Sequence, residues 1–214
     1  MPTRESPPPR ALCAGFVSAL PIGHAAISTL GDPFDVETVC ASDAVAAGLD
    51  EVQLDTGVGP CWRAYSSRSP VLVRDLHHED SSDWPMLTAA AAAEGVASTY
   101  AFPMVVGAVG VGVVDLYAEH RDALSVRDVA RALAMADAAA RHILREAMDH
   151  LDVEPGTGSS SRRFVHQATG MVCAQLRVTP EDALLIIRAH AFATGRSVRE
   201  VAEALIAREL DFSE

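Results

Sequence analysis

The chain has 214 residues, 49% of them apolar and 21% charged, a balance that fits a folded protein with a buried core and excludes an intrinsically disordered one. The length accommodates one medium domain plus a small one. The net charge of −12 is unevenly placed: residues 1–161 hold 10 Arg against 22 Asp and Glu, residues 162–214 hold 7 of each, and Lys is absent.

Four cysteines, Cys13, Cys40, Cys61 and Cys173, form no C-x-x-C pair. Their spacing indicates neither a zinc site nor a disulfide framework and suits a reducing cytoplasm. Residues 11–20 are apolar and follow two arginines, but the stretch is short and runs into Pro21 and Gly23, so a secretory signal is not expected. Nowhere does the sequence hold the run of about 20 apolar residues that a spanning helix needs.

The Pro-rich opening MPTRESPPPR reads as a loose tail, taken to extend over residues 1–14. From His24, AAISTL, the turn-prone GDP and VETVCAS read as two strands joined by a tight connection. DAVAAGLDEVQLDTGVGPCWRAYSS is helical in composition but broken by Gly57, Gly59 and Pro60, which predicts two short helices around a Gly-rich loop. VLV at 71–73 is a brief strand, and DLHHEDSSDWP a surface loop. MLTAAAAAEGV favours a helix ending at Gly95. TYAFPMVV and GVGVVDLYA, separated by Gly107 and Ala108, are the plainest hairpin in the chain.

Ser125, with Asp128 three residues on, predicts a capped helix whose positions Val126, Val129, Leu133, Ala136, Ala140, Ile143 and Ala147 form one apolar stripe. That stripe can pack on the sheet or pair with the same helix of a second chain. Residues 152–161, DVEPGTGSSS, have linker composition and set a domain boundary. Three helices follow. The first runs from about Arg162 to Leu176, the second is capped by Thr179 and stopped by Gly195, and the third is opened by the Ser197 and Glu200 capping box. The expected class is therefore α+β: an antiparallel sheet flanked by helices over 15–151, then a small all-α unit over 162–214.

No catalytic constellation emerges. His77, His78, Glu79 and Asp80 are adjacent in a loop instead of spaced on a scaffold, which favours solvation over metal binding. DTGVGPC lacks a Walker or dinucleotide pattern. Cys61 opens a helix, whose dipole could lower its pKa, but a buried small apolar residue is the favoured reading.

Residues 162–210, with HQATGMV and then VTPEDALLIIRAHAFATGRSVREVAEAL, resemble an ANTAR domain, a three-helix RNA-binding module of bacterial transcription antiterminators. Residues from about 15 to 150 resemble a GAF domain of the kind found fused to ANTAR, through the Gly-Pro-Cys loop of DTGVGPC and the Asp-Leu then Trp-Pro of DLHHEDSSDWP. The resemblance implies a cytoplasmic, homodimeric sensor without enzymatic activity and without an assigned cofactor. Its GAF input would take an unidentified small-molecule signal, and its ANTAR output would bind paired stem-loops in nascent transcripts, without contact to a membrane.

Arg162, Arg163, Arg188, Arg196 and Arg199 are the cations available to RNA, and Ala168 and Gly170 would allow close approach. Thr169 stands where the family commonly has Lys, an exchange that weakens a phosphate contact. Cys40, Cys61, Trp62, Trp84 and Phe102 are nominated to line the GAF pocket. Two alternatives stand beside this expectation. One is a sensor whose helical tail contacts protein, favoured by Thr169 and the neutral tail; the other is a methionine sulfoxide reductase of the GAF fold, which would need Cys61 opposed to Cys40 or Cys13 and lacks an accompanying acid, base or anion-binding group.

Overall fold

A computed structural model describes residues 9–31, 34–77, 83–151 and 163–212. They fall into two units, 1–154 and 155–214.

In the first unit, α1 (Pro9–Ala19) leads into β1 (His24–Thr29) and β2 (Glu37–Ala41), then α2 (Ala44–Thr56), α3 (Pro60–Ser67) and β3 (Val71–Val73). After these come α4 (Pro85–Ala93), the hairpin β4 (Ser98–Val106) and β5 (Val109–Ala118), and the long α5 (Val126–Leu151). The strands form one antiparallel sheet in the order β2-β1-β5-β4-β3. Gly107, with φ of 61°, makes the first residue of the two-residue β4–β5 turn, a backbone conformation that glycine adopts without steric cost. Pro103 is tolerated within β4 because the short β3 pairs only with Thr99, Tyr100 and Ala101, so no ladder bond is asked of it on that side.

The period of two splits the side chains between two layers. Ala25, Ile27, Tyr100, Phe102, Met104, Val114 and Leu116 face α1 and α5, meeting Cys13 and Phe16 of the one, with Leu20 just past its end, and Ala132, Ala136, Ala139, Ala140 and Ile143 of the other. Small residues on α5 let its axis lie close to the sheet, so the apolar stripe packs there. Val126, expected on that stripe, is 85% exposed in the first turn. The opposite sheet face holds Ala26, Ala101, Val113 and Tyr117 against α2, α3 and α4.

Two expectations are corrected. The tail predicted over 1–14 gives way at Pro9 to α1, where Cys13 and Phe16, followed by Leu20 just past the helix end, recur at three and four and are buried; proline is accommodated at a helix start because the first-turn N–H has no partner to lose. Cys13 and Cys40 are joined in a disulfide between α1 and β2, which spacing along the chain did not indicate.

The second unit packs α6 (Arg163–Leu176), α7 (Pro180–Thr194) and α8 (Val198–Ile206) around Val165, Ala168, Val172, Ala183, Ile187, Ala191, Val201 and Leu205. Its core is small and rich in alanine, so helix ends matter to it. Thr179 accepts from the Asp182 N–H at 3.2 Å, Gly195 closes α7 at φ of 64°, and Ser197 and Glu200 form a reciprocal capping box. Each cap contributes about 1 kcal/mol. Near the end of the described chain, the Phe212 N–H donates to Gln175 at 3.4 Å and its ring meets His190 edge-on.

Candidate functional site

Helix α2 begins at Asp43, whose carboxylate accepts from the Ala46 N–H at 3.0 Å and from His24 at 3.0 Å. Burial alone would raise this carboxyl, but hydrogen bonds from Ser42, the Ala46 N–H and His24 hold it below the ordinary value. Anchored so, α2 turns Ala46, Leu49, Asp50, Gln53 and Leu54 inward. Asp50 and Gln53 are polar residues on a face that packs against a sheet, and both are fully buried.

Ser28 of β1 donates to Asp50 at 2.7 Å, and the Thr38 hydroxyl also donates to it. Gln53 Nε2 donates to the Tyr117 hydroxyl at 3.0 Å, and Gln53 Oε1 accepts the Cys61 N–H at 3.0 Å. The Gln53 carbonyl accepts from Trp62 Nε1 at 2.7 Å. This explains the glycine loop. Gly57 ends α2 in the left-handed region, and Gly59 sits where any Cβ would strike the Gln53 side chain, so the loop brings the start of α3 onto Gln53.

Asp115 lies in β5 between Ala26 of β1 and Ala101 of β4. It is fully buried, and neither carboxyl oxygen has a hydrogen-bond partner; the Thr99 hydroxyl, also fully buried, has none either. Burial pushes the Asp115 carboxyl well above the usual carboxylate range, and the charge of Asp50 pushes it further. The Gln53 amide, near it without a hydrogen bond of ordinary geometry, opposes this only in part. The Tyr117 phenol is driven up by burial and then by Asp115, Asp50 and Cys61. Cys61 is driven up by burial and then by Asp115 and Asp50, which makes its thiol a poor nucleophile.

The five nominated pocket residues do not converge. Cys40 and Phe102 belong to the α1 and α5 layer, Cys61 and Trp62 belong to α3 on the other face of the sheet, and Trp84 packs near α2 and α4 with the Arg63 guanidinium 4.6 Å from its ring centre. Arg63 is paired with Asp83 at 2.7 Å. Cys40 is bonded to Cys13, so neither is opposed to Cys61. His78, Glu79 and Asp80 lie outside the described residues. Sequence reasoning missed Asp50, Gln53, Asp115 and Tyr117. The available signal was an aspartate in the otherwise apolar strand GVGVVDLYA, at a position whose neighbours two residues away face the core.

In the second unit, Ala168 is fully buried and contributes to the core, which corrects its nomination as a contact residue. Thr169 is half-buried and spends its hydroxyl on the Val165 carbonyl at 2.7 Å. Gly170 is exposed, with open space where a Cβ would stand. Arg196 is exposed and donates to the Glu200 carbonyl at 2.8 Å, Arg199 is exposed and pairs with Glu203 at 2.9 Å, and Arg188 is half-buried in α7. Arg162 lies outside the described residues, as does the side chain of Arg163. The sequence also concealed Leu185 and Phe192, 64% and 72% exposed on α7, on the side away from the buried Ala183, Ile187 and Ala191.

No helix among the described residues is long and apolar enough to cross a membrane. No curated protein sequence matches the chain. Solved structures do match the first unit. GAF3 from Slr1393 of Synechocystis sp. PCC6803 superposes with a TM-score of 0.54 at 13% identity, covering 68% of this chain and 97% of that one. A domain named for a two-component sensor histidine kinase protein from Sinorhizobium meliloti 1021 gives 0.53 at 16% identity, covering 68% and 94%. At such identities the likeness establishes the fold. The GAF domain family model matches residues 10–144 and the ANTAR domain model residues 158–206. The chain therefore belongs to the GAF domain family and carries an ANTAR domain behind it, an arrangement of regulatory domains.

Proposed function

We propose that this protein is a signal-responsive transcription antiterminator of the cytoplasm, in which a small molecule at the GAF unit controls a homodimeric ANTAR output that binds paired stem-loops in nascent transcripts. The observation that carries the proposal is the order of the two matched domains in one chain, a sensor over 10–144 followed by an RNA-binding type over 158–206. RNA loops offer splayed bases and phosphates, so exposed guanidinium groups beside a residue without a side chain suit them. Arg196 and Arg199 are exposed guanidinium groups, and Gly170 is an exposed glycine of the same unit. The Arg199–Glu203 pair is exposed and of the kind worth little in water, so exchanging it for a phosphate costs little. Signal transfer would follow from differential ligand affinity for two states of the dimer.

The test is transcription through a terminator that competes with a two-stem leader. The protein raises read-through, and Arg196→Ala with Arg199→Ala abolishes the rise; no rise with the wild-type chain, with or without small-molecule extract, contradicts the proposal. The second reading, a tail that contacts protein, is favoured by Thr169 in place of the family lysine and by the exposed Leu185 and Phe192. It predicts no preference for the two-stem RNA, and capture of a protein partner that Phe192→Ser abolishes.

A further inference from the structure

Resting on the small-molecule input proposed above, we propose that the sheet face beneath α2 and α3 is a ligand site built on Asp115, and that its ligand is a small organic cation with N–H donors, an alkylammonium or guanidinium group. Three observations converge on this chemistry. The first is unspent hydrogen-bonding capacity: both Asp115 oxygens and the Thr99 hydroxyl are buried without a partner, which is rare in a native fold and marks a place where a bound group can supply one. They lie on one face of the sheet, because Thr99 pairs with Tyr117 and Asp115 with Ala101, two residues further along each strand.

The second is the pair of cross-strand neighbours. The residues opposite Asp115 on both neighbouring strands are alanines, Ala26 and Ala101, and neither side chain offers the carboxyl a hydrogen bond. The third is the sign of the charge. Among the described residues, Asp50 is the charged group that acts on Asp115, and Cys61 and Tyr117 are the other titratable groups coupled to it; none of these three is a cation. Such a site repels phosphates and carboxylates and attracts a cation. Ser28 and Thr38 are committed to Asp50 and one Gln53 N–H to Tyr117, so none of these bonds serves the Asp115 oxygens.

On binding, the ligand N–H groups donate to Asp115 and to the Thr99 oxygen. The carboxyl gives up its proton to solvent, so the site exchanges one positive charge for another.

The test is titration calorimetry of the full chain at neutral pH, in buffers of differing ionisation enthalpy, with methylguanidinium and n-propylammonium as probes. N-methylurea and acetate serve as the neutral and anionic counterparts. A cation binds with release of about one proton, its counterparts do not bind, and Asp115→Asn weakens binding about tenfold or more. Thr99→Val, which keeps the shape and the charge, weakens it by a smaller factor and stands in should Asp115→Asn fail to fold. Failure of both cations to bind, equal binding of N-methylurea, or undiminished binding in the variants overturns the proposal. RNA binding is measured separately on the same preparation. A chain that binds the cation but no RNA loses its proposed output and keeps this site, and the converse loses the site and keeps the output.

Discussion

The Gln53 side chain joins Tyr117 of β5 to the start of α3, donating to the phenol at 3.0 Å and accepting the Cys61 N–H at 3.0 Å eight residues further along the chain. One amide thus holds two helices and the sheet together, in a place that water does not reach. Gln53→Leu leaves the Cys61 N–H buried and unpaired, at about 1–3 kcal/mol. Urea unfolding of the first unit should show that destabilisation; an unchanged midpoint would mean that the N–H finds another acceptor.

Gly112 of β5 lies opposite Thr29, and a methyl group there would collide with the Ser28 carbonyl of the neighbouring strand. Backbone cannot step aside as the end of a side chain can. Gly112→Ala should separate β1 from β5 and cost about 3 kcal/mol or more. Circular dichroism and solubility report it, and a soluble variant with wild-type melting contradicts the described strand register.

Asp115 gives a pH dependence of unusual sign. Its folded carboxyl binds a proton more tightly than the unfolded one, so the folded state is favoured at low pH and loses stability as pH rises from about 4, the unfolded value, towards the raised folded one. Asp115→Asn, which mimics the neutral acid, should be at least as stable as the wild type at neutral pH, with the difference vanishing below about pH 4. A variant that is clearly less stable at neutral pH would show that the carboxyl is ionised and paired. The groups facing it, Asp50, Cys61 and Tyr117, are unchanged in this comparison.

The Cys13–Cys40 bond ties α1 to β2 across 27 positions of sequence. Closing a loop of that length removes chain entropy from the unfolded state worth about 3–4 kcal/mol. Dithiothreitol, or Cys13→Ser with Cys40→Ser, should lower the melting temperature of the first unit, whereas Cys61→Ser should leave the reductant response intact. Equal melting with and without reductant contradicts the bond.

Much of the fold was legible because its signals are local. The β4–β5 hairpin is written in two apolar runs around Gly107 and Ala108, and α7 and α8 in Thr179, Gly195, Ser197 and Glu200, each next to the backbone group it satisfies. What was hidden depends on residues distant in sequence. Nothing near Cys13 indicates Cys40, and α1 is concealed because its proline-rich entry resembles a tail. The pocket nominations took aromatic and sulfur side chains by type, but the period of two sends Phe102 to one face and Ala101 to the other. Asp50 and Asp115, 65 positions apart, become a pair only when α2 lies across β5. In the second unit the same limit made Ala168 look accessible, although it is in the core.

The central claim, that the chain recognises RNA, is tested most directly by binding of the full chain to an RNA with two adjacent stem-loops, against a single-stem control, over a salt series. The account predicts a preference for the double stem and an affinity that falls steeply with salt. It also predicts a salt slope smaller by about one for each phosphate that Arg196→Ala or Arg199→Ala leaves without its guanidinium. Equal, weak binding of both RNAs with a slope unaltered by these substitutions would contradict it.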